Sequence, residues 1–140
     1  MSNLLARILI AIGSIASIGF GIWHFFVPKD WKWYSYIDVR ATELIIAVQA
    51  INIFFSLALV LFGLMNLLLM VGNKSNRYSI AIVLGATCIL WFTRVLMQII
   101  CPQGSMSPAL QYSMLSSFVA VFLCYALPLI FVLTKKNFIY

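Results

Sequence analysis

The sequence predicts an all-α integral membrane protein: a bundle of four transmembrane helices with an interfacial aromatic loop between the first and second. Three observations carry that expectation. The chain of 140 residues is 64% hydrophobic and only 9% charged, where a soluble domain is nearer one quarter charged. Its mean hydropathy is +1.08, so it lacks the polar surface to cover a water-exposed globule. The apolar residues also fall in four long blocks, each near or above the ~20 residues that a bilayer core requires.

These blocks cover about residues 4–27, 41–71, 78–100 and 109–133, and form a single transmembrane domain. In hydrocarbon every backbone polar group needs a partner within its own segment, so spans of this length are helices; barrel strands are shorter and alternate. The first span is basic at its start (Arg7) and closes at Pro28. Its apolar run exceeds a signal-peptide core and no A-x-A site follows, so it reads as a retained span. No lipidation signal is present. The second span is longer than a bilayer needs, which predicts tilt or projection at its start. "VGNKSNR" (residues 71–77) reads as a short polar turn into the third span. Its Asn-Lys-Ser triplet matches a glycosylation acceptor, but close to the membrane on the expected cytoplasmic side it is discounted. "CPQGSMSP" (residues 101–108) is the next turn, with Ser107 as N-cap and Pro108 in the first helical position. Pro128 predicts a kink in the fourth span.

Lys and Arg outside the spans set the expected orientation. Arg7, Lys74, Arg77, Lys135 and Lys136 lie on one side, and Lys29, Lys32 and Arg40 on the other. Five against three predicts both termini in the cytoplasm and a plasma or inner membrane location. The net charge of +6 then reflects orientation and anionic lipid contact. No basic face exists to follow a phosphate backbone, so nucleic acid is not an expected partner. The expected partners are membrane lipids, further copies of the chain, or a larger membrane complex.

Polar residues gather toward one end of the bundle, the predicted outer side. On the third span Thr87, Trp91, Arg94, Gln98 and Cys101 are spaced by four, three, four and three, which puts them on one helical stripe. Arg94 stands about 10 Å below the end of its helix, at 1.5 Å per residue. A lone arginine at that depth costs at least ~2–3 kcal/mol. It requires a partner, a wet cavity, or a snorkelling route to lipid phosphate; Gln98 on the same stripe favours the inward reading. The second span offers Glu43 as counter-ion, with Asp38 next, and Gln49 and Asn52 deeper. The plainer readings are a solvated carboxylate at a helix start for Glu43 and bundle glue for the two amides. The first span carries Ser14, Ser17, Gly21 and His24 at spacings of three, four and three. His24 reads as a hydrogen-bonding or proton-exchanging group, or more plainly as an interfacial histidine beside Trp23. The fourth span opens with Gln111, Tyr112 and Ser113, and the opposite half offers chiefly Asn66.

One histidine without a second ligand does not make a zinc or haem site. Three cysteines (Cys88, Cys101 and Cys124) with no CxxC pair do not make a disulfide enzyme; Cys88 and Cys124 read as small apolar residues in their spans. No cofactor is evident, although a quinone is compatible. The expected site is an outward-opening pocket with His24 and Glu43 as candidate catalytic residues. Arg94, Gln98, Gln49, Asn52, Trp91 and Gln111 are the candidate ligand contacts. The expected function is binding of an amphipathic lipid or quinone, or service as an accessory or assembly subunit of a membrane complex. The alternatives are a small membrane enzyme using His24/Glu43 proton exchange with Arg94 holding charge, and a channel or proton-coupled transporter. Trp31, Trp33, Tyr34 and Tyr36, interleaved with Lys29 and Lys32, read as an interfacial belt or as a lid over the pocket.

Arg7 at the head of the first span, its glycine-rich end, then "GIWHFFVP" and three further spans resemble the DoxX-like group of small four-helix membrane proteins. The resemblance implies a four-helix bundle and a role among accessory subunits of quinone-linked oxidoreductases or assembly factors.

Overall fold

A computed structural model describes residues 3–72, 76–104 and 107–134. The Asn-Lys-Ser triplet and the charges of Lys74, Lys135 and Lys136 lie outside the described residues. The fold is all-helical, and four helices are long and apolar enough to cross a membrane: α1 (Asn3–His24), α3 (Thr42–Val71), α4 (Arg77–Ile100) and α5 (Pro108–Thr134). Between α1 and α3 come a four-residue helix, α2 (Val27–Asp30), and a 3-10 turn (Trp33–Tyr36).

The ends follow local chemistry. Pro28 sits in the first turn of α2, where its absent N–H costs nothing, so α1 stops at His24 and does not run on to the proline. Asn76 caps α4 by accepting the Ser79 N–H at 2.8 Å. Pro108 opens α5, and the Ser107 carbonyl accepts the Gln111 N–H at 3.0 Å. At the other end of α5, Arg77 Nε and Nη2 donate to the carbonyls of Val132 and Leu133 at 2.7 and 2.6 Å. A cation there satisfies orphan carbonyls and complements the helix dipole. Pro128 lies within α5, which continues helical to Thr134.

α1 packs along α3 on one side and α5 on the other, α5 packs on α4, and α3 and α4 meet over a much shorter length. The α1–α3 contact is close because both helices present glycine. A Cβ on Gly21 would lie 2.7 Å from the Ser56 carbonyl oxygen, and one on Gly63 would lie 2.8 Å from that of Ser14. With no hydrophobic drive between helices in lipid, such backbone approach is the main source of attraction. The side chains α3 buries are Asn52, Ser56, Leu59 and Asn66, with Gly63 among them; large apolar residues such as Phe54 and Ile51 point outward. This inverts the pattern of a soluble helix and suits a lipid surround.

The core is joined by a one-way chain of hydrogen bonds. Trp91 Nε1 on α4 donates to Ser17 Oγ on α1 at 3.0 Å. Tyr125 on α5 donates to Ser14 Oγ at 3.4 Å. The Ser17 hydroxyl therefore donates to Tyr125 at 2.9 Å, since each hydroxyl has one proton. α3 and α4 are tied where Asn66 Nδ2 donates to Thr87 Oγ1 at 2.7 Å and Thr87 donates to the Val83 carbonyl at 2.7 Å. That tie lies in the half nearer the turn between them. The other end carries the α1–α3 linker.

Candidate functional site

A narrow cleft opens at this linker end. Phe20, Trp23 and His24 reach it from the last turn and a half of α1, and Phe55 and Leu59 from α3. Trp91 and Arg94 reach it from α4, and Met114 and Phe118 from α5. Val27 and Trp31 come from the linker, so part of the aromatic segment roofs the cleft. Val27 and Pro28 are buried, while Tyr36 is exposed, so the segment is half roof and half surface. The rings interlock edge to face: Phe20 with Trp91 at 5.6 Å, Trp23 with Trp31 at 6.5 Å, His24 with Phe55 at 4.7 Å between centroids. The enclosed space between the walls is small. It has room for about one water, so the cleft is a thin slot. Outside it, His24, Phe55, Arg94 and Gln103 are shared with a wider depression rimmed by Ile51 of α3 and by Met97 and Cys101 of α4.

Arg94 stands where slot and depression meet. Its guanidinium carbon lies 4.2 Å from the centroid of Phe118, a cation–π contact that holds a partly desolvated charge. Its Nη2 donates to Gln103 Oε1 at 2.6 Å. Gln103 is itself held by Gln98, whose Nε2 donates to the Gln103 carbonyl at 2.9 Å and whose Oε1 accepts its N–H at 3.4 Å. Gly104 at φ 73°, in the left-handed region glycine favours, turns the chain there. Gln98, 1% exposed, thus fastens the turn that fastens the arginine.

The wall opposite is His24. Its Nδ1 lies 3.3 Å from Ser56 Oγ, and Ser56 donates to the Asn52 carbonyl at 2.7 Å. Asn52 is buried beside the same ring, yet its Oδ1 receives no hydrogen bond among the described residues. The Asn52 side chain interacts with the His24 ring.

The cleft therefore brings together His24, Arg94 and Trp91, with Asn52 behind His24 and Gln98 behind Arg94. It does not bring in four other expected residues. Glu43 is exposed on the first turn of α3, and the described partners of Arg94 are Gln103 and Phe118, with no carboxylate among them. Asp38 accepts the Arg40 N–H at 2.9 Å and closes a local turn. Gln49 shares the helical phase of Asn52 but is exposed, because α3 has left its neighbours at that height. Gln111 is half-buried one turn above Met114. Gln103, Phe55, Phe118 and Ser56 belong to the site without having been singled out. Only Gln103 carried a signal, as a lone amide between Pro102 and Gly104. Among the described residues no group of three or more histidine, cysteine or acidic side chains is placed to hold a metal.

No protein-family model, curated protein or solved structure matches this chain.

Proposed function

We propose that this chain is a membrane-embedded binding protein for an amphipathic ligand of the lipid or quinone class. The head sits on Arg94 and the hydrocarbon lies along the aromatic slot and the α3/α4 seam. The observation that supports this most is a half-buried guanidinium at the mouth of an aromatic cleft, held by an amide and a ring and facing no carboxylate among the described residues. A buried cation of that kind is costly unless something complements it, and an anionic or carbonyl oxygen does so. The rim beside it is apolar, with Ile51 and Met97, which suits a chain that stays in the bilayer. In this reading the cleft lies in the outer leaflet of a plasma or inner membrane, with both termini cytoplasmic.

The test is mass spectrometry of lipid-soluble material that co-purifies in mild detergent. One amphiphile enriched over bulk lipid, and reduced at least about tenfold in Arg94→Ala, is the expected result, a tenfold change being ~1.4 kcal/mol. Equal recovery from both proteins defeats the proposal. Recovery of a partner protein with no enriched amphiphile would favour the accessory role that the DoxX-like resemblance implies.

A further inference from the structure

The chain has three carboxylate side chains, and none of them neutralises Arg94. Asp30 and Glu43 are exposed, and Asp38 accepts the Arg40 N–H in its own turn. The described partners of Arg94 are the Gln103 amide and the Phe118 ring. A half-buried cation on a membrane-spanning helix thus has no counter-ion among the described residues, and such a charge is costly to leave uncompensated. Its hydrogen-bonding surroundings have a definite sign. An arginine has only donors, so the 2.6 Å contact fixes the Gln103 amide with its oxygen toward Nη2. The Gln103 side-chain NH2 is thereby turned away from Arg94, and it has no partner among the described residues. Of the guanidinium nitrogens, Nη2 alone donates to a described residue. His24, on the same depression, is engaged with Ser56 and Asn52. The polar edge left to a ligand is made of donors: guanidinium N–H, amide N–H and the weakly donating Cys101 thiol.

The depression is placed for a ligand that comes from the bilayer. It lies between α3 and α4, and its rim residues Ile51 and Met97 are exposed on the flank of the bundle. Hydrocarbon can lie on that flank while a head reaches Arg94, without entering the thin slot. A neutral carbonyl, as in a quinone, accepts the hydrogen bonds but leaves the charge. An anionic oxygen accepts them and neutralises the charge as well. We propose that the outer depression binds an anionic lipid. Its head brings a negatively charged oxygen, of phosphate or carboxylate, as the counter-ion that the chain does not supply to Arg94. Its hydrocarbon lies against Ile51 and Met97. This rests on the binding reading above and narrows its ligand class from amphiphile to anion.

The test uses the full chain in phosphatidylcholine nanodiscs at neutral pH. Three probes are titrated at low mole fraction, so that they add little surface charge. They are chain-brominated phosphatidylmethanol, an anionic phosphodiester; its methyl phosphotriester, which is neutral; and a decyl benzoquinone. Saturable quenching of tryptophan emission reads binding, since Trp23, Trp31 and Trp91 line the adjoining slot. The diester is expected to bind at least about tenfold tighter than the triester, the scale of hydrogen bonds to a charged group. Arg94→Gln keeps amide donors but deletes the charge, and is expected to abolish that preference. Gln103→Glu puts a carboxylate where the amide oxygen already meets Arg94. It is expected to abolish the preference too, while raising thermal stability in phosphatidylcholine alone, which separates lost binding from lost folding. A preference that persists in either variant overturns the proposal. Equal affinity for diester and triester overturns it and leaves the binding reading intact, as does saturable binding of the quinone alone. Displacement of the diester by inorganic phosphate at low millimolar concentration assigns the site to a free anion and overturns the lipid class. Saturable binding of none of the three probes overturns both proposals.

Discussion

Tyr125 and Asn52 are both buried polar side chains that face α1, and they differ in what completes them. Tyr125 gives and receives a proton within the Trp91–Ser17–Tyr125–Ser14 chain. Asn52 has a buried oxygen that meets no hydrogen-bond criterion among the described residues. Groups of the first kind hold a bundle together. Tyr125→Phe keeps the ring and deletes the link, and is expected to cost about 1 kcal/mol in unfolding from micelles, with ligand recovery unchanged. A Tyr125→Phe protein as stable as wild type would show that the chain of hydroxyls contributes nothing. Gln98 works at one remove from the cleft, through the turn that carries Gln103. Gln98→Leu unfastens this turn, and Arg94 loses the support that aims it. Its expected effect is weaker ligand recovery, read by the same mass spectrometry.

At the scale of elements, the α1–α3 pair is the tightest joint and the α3–α4 pair the loosest. Gly21→Val places two methyls where a single Cβ already comes within 2.7 Å of backbone oxygen. It is expected to destabilise by about 1–3 kcal/mol, the range for overpacking; an unchanged unfolding midpoint would mean that the helices can part freely there. α5 owes its terminus to α4. Arg77→Met removes two hydrogen bonds to the Val132 and Leu133 carbonyls and is expected to raise hydrogen exchange in the last turn of α5. A cost of about 0.5–2 kcal/mol is the scale for such an end interaction. Loss of the seam tie has a different signature: Asn66→Leu leaves Thr87 without its donor and loosens α3 from α4 on the side opposite the cleft.

For the whole molecule, the proposed topology has both termini on one side, and the excess of Lys and Arg there predicts the cytoplasm. Tyr36 is exposed in the linker on the other side. In a Cys101→Ser background, Tyr36→Cys is expected to react with an impermeant maleimide added outside intact cells, and a reporter fused after Tyr140 to be active only inside. The reverse pattern inverts the topology and moves the cleft to the inner leaflet. The asymmetry of the bundle has one further consequence. In the half away from the linker Asn66 is bonded to Thr87 and Arg77 to the end of α5, so these polar groups are spent within the bundle.

The four spans, their approximate limits and the gathering of polar residues toward one end are determined by the sequence alone. Each depends on properties local to a segment: the length of an apolar run, the position of proline and asparagine, and the three-four spacing of a stripe. Such spacing shows that Thr87, Trp91, Arg94 and Gln98 share a face; it does not show what that face meets. Only the tertiary structure decided that Arg94 rests on Phe118 and Gln103, that Glu43 stays on the exposed surface, and that Gln49 is exposed although Asn52 on the same stripe is buried. Those outcomes depend on where neighbouring helices diverge and how a distant turn folds back. Divergence is set by the close glycine contacts of α1 with α3, and the turn by the positive φ of Gly104. Neither can be inferred from the stripe on which the polar residue sits.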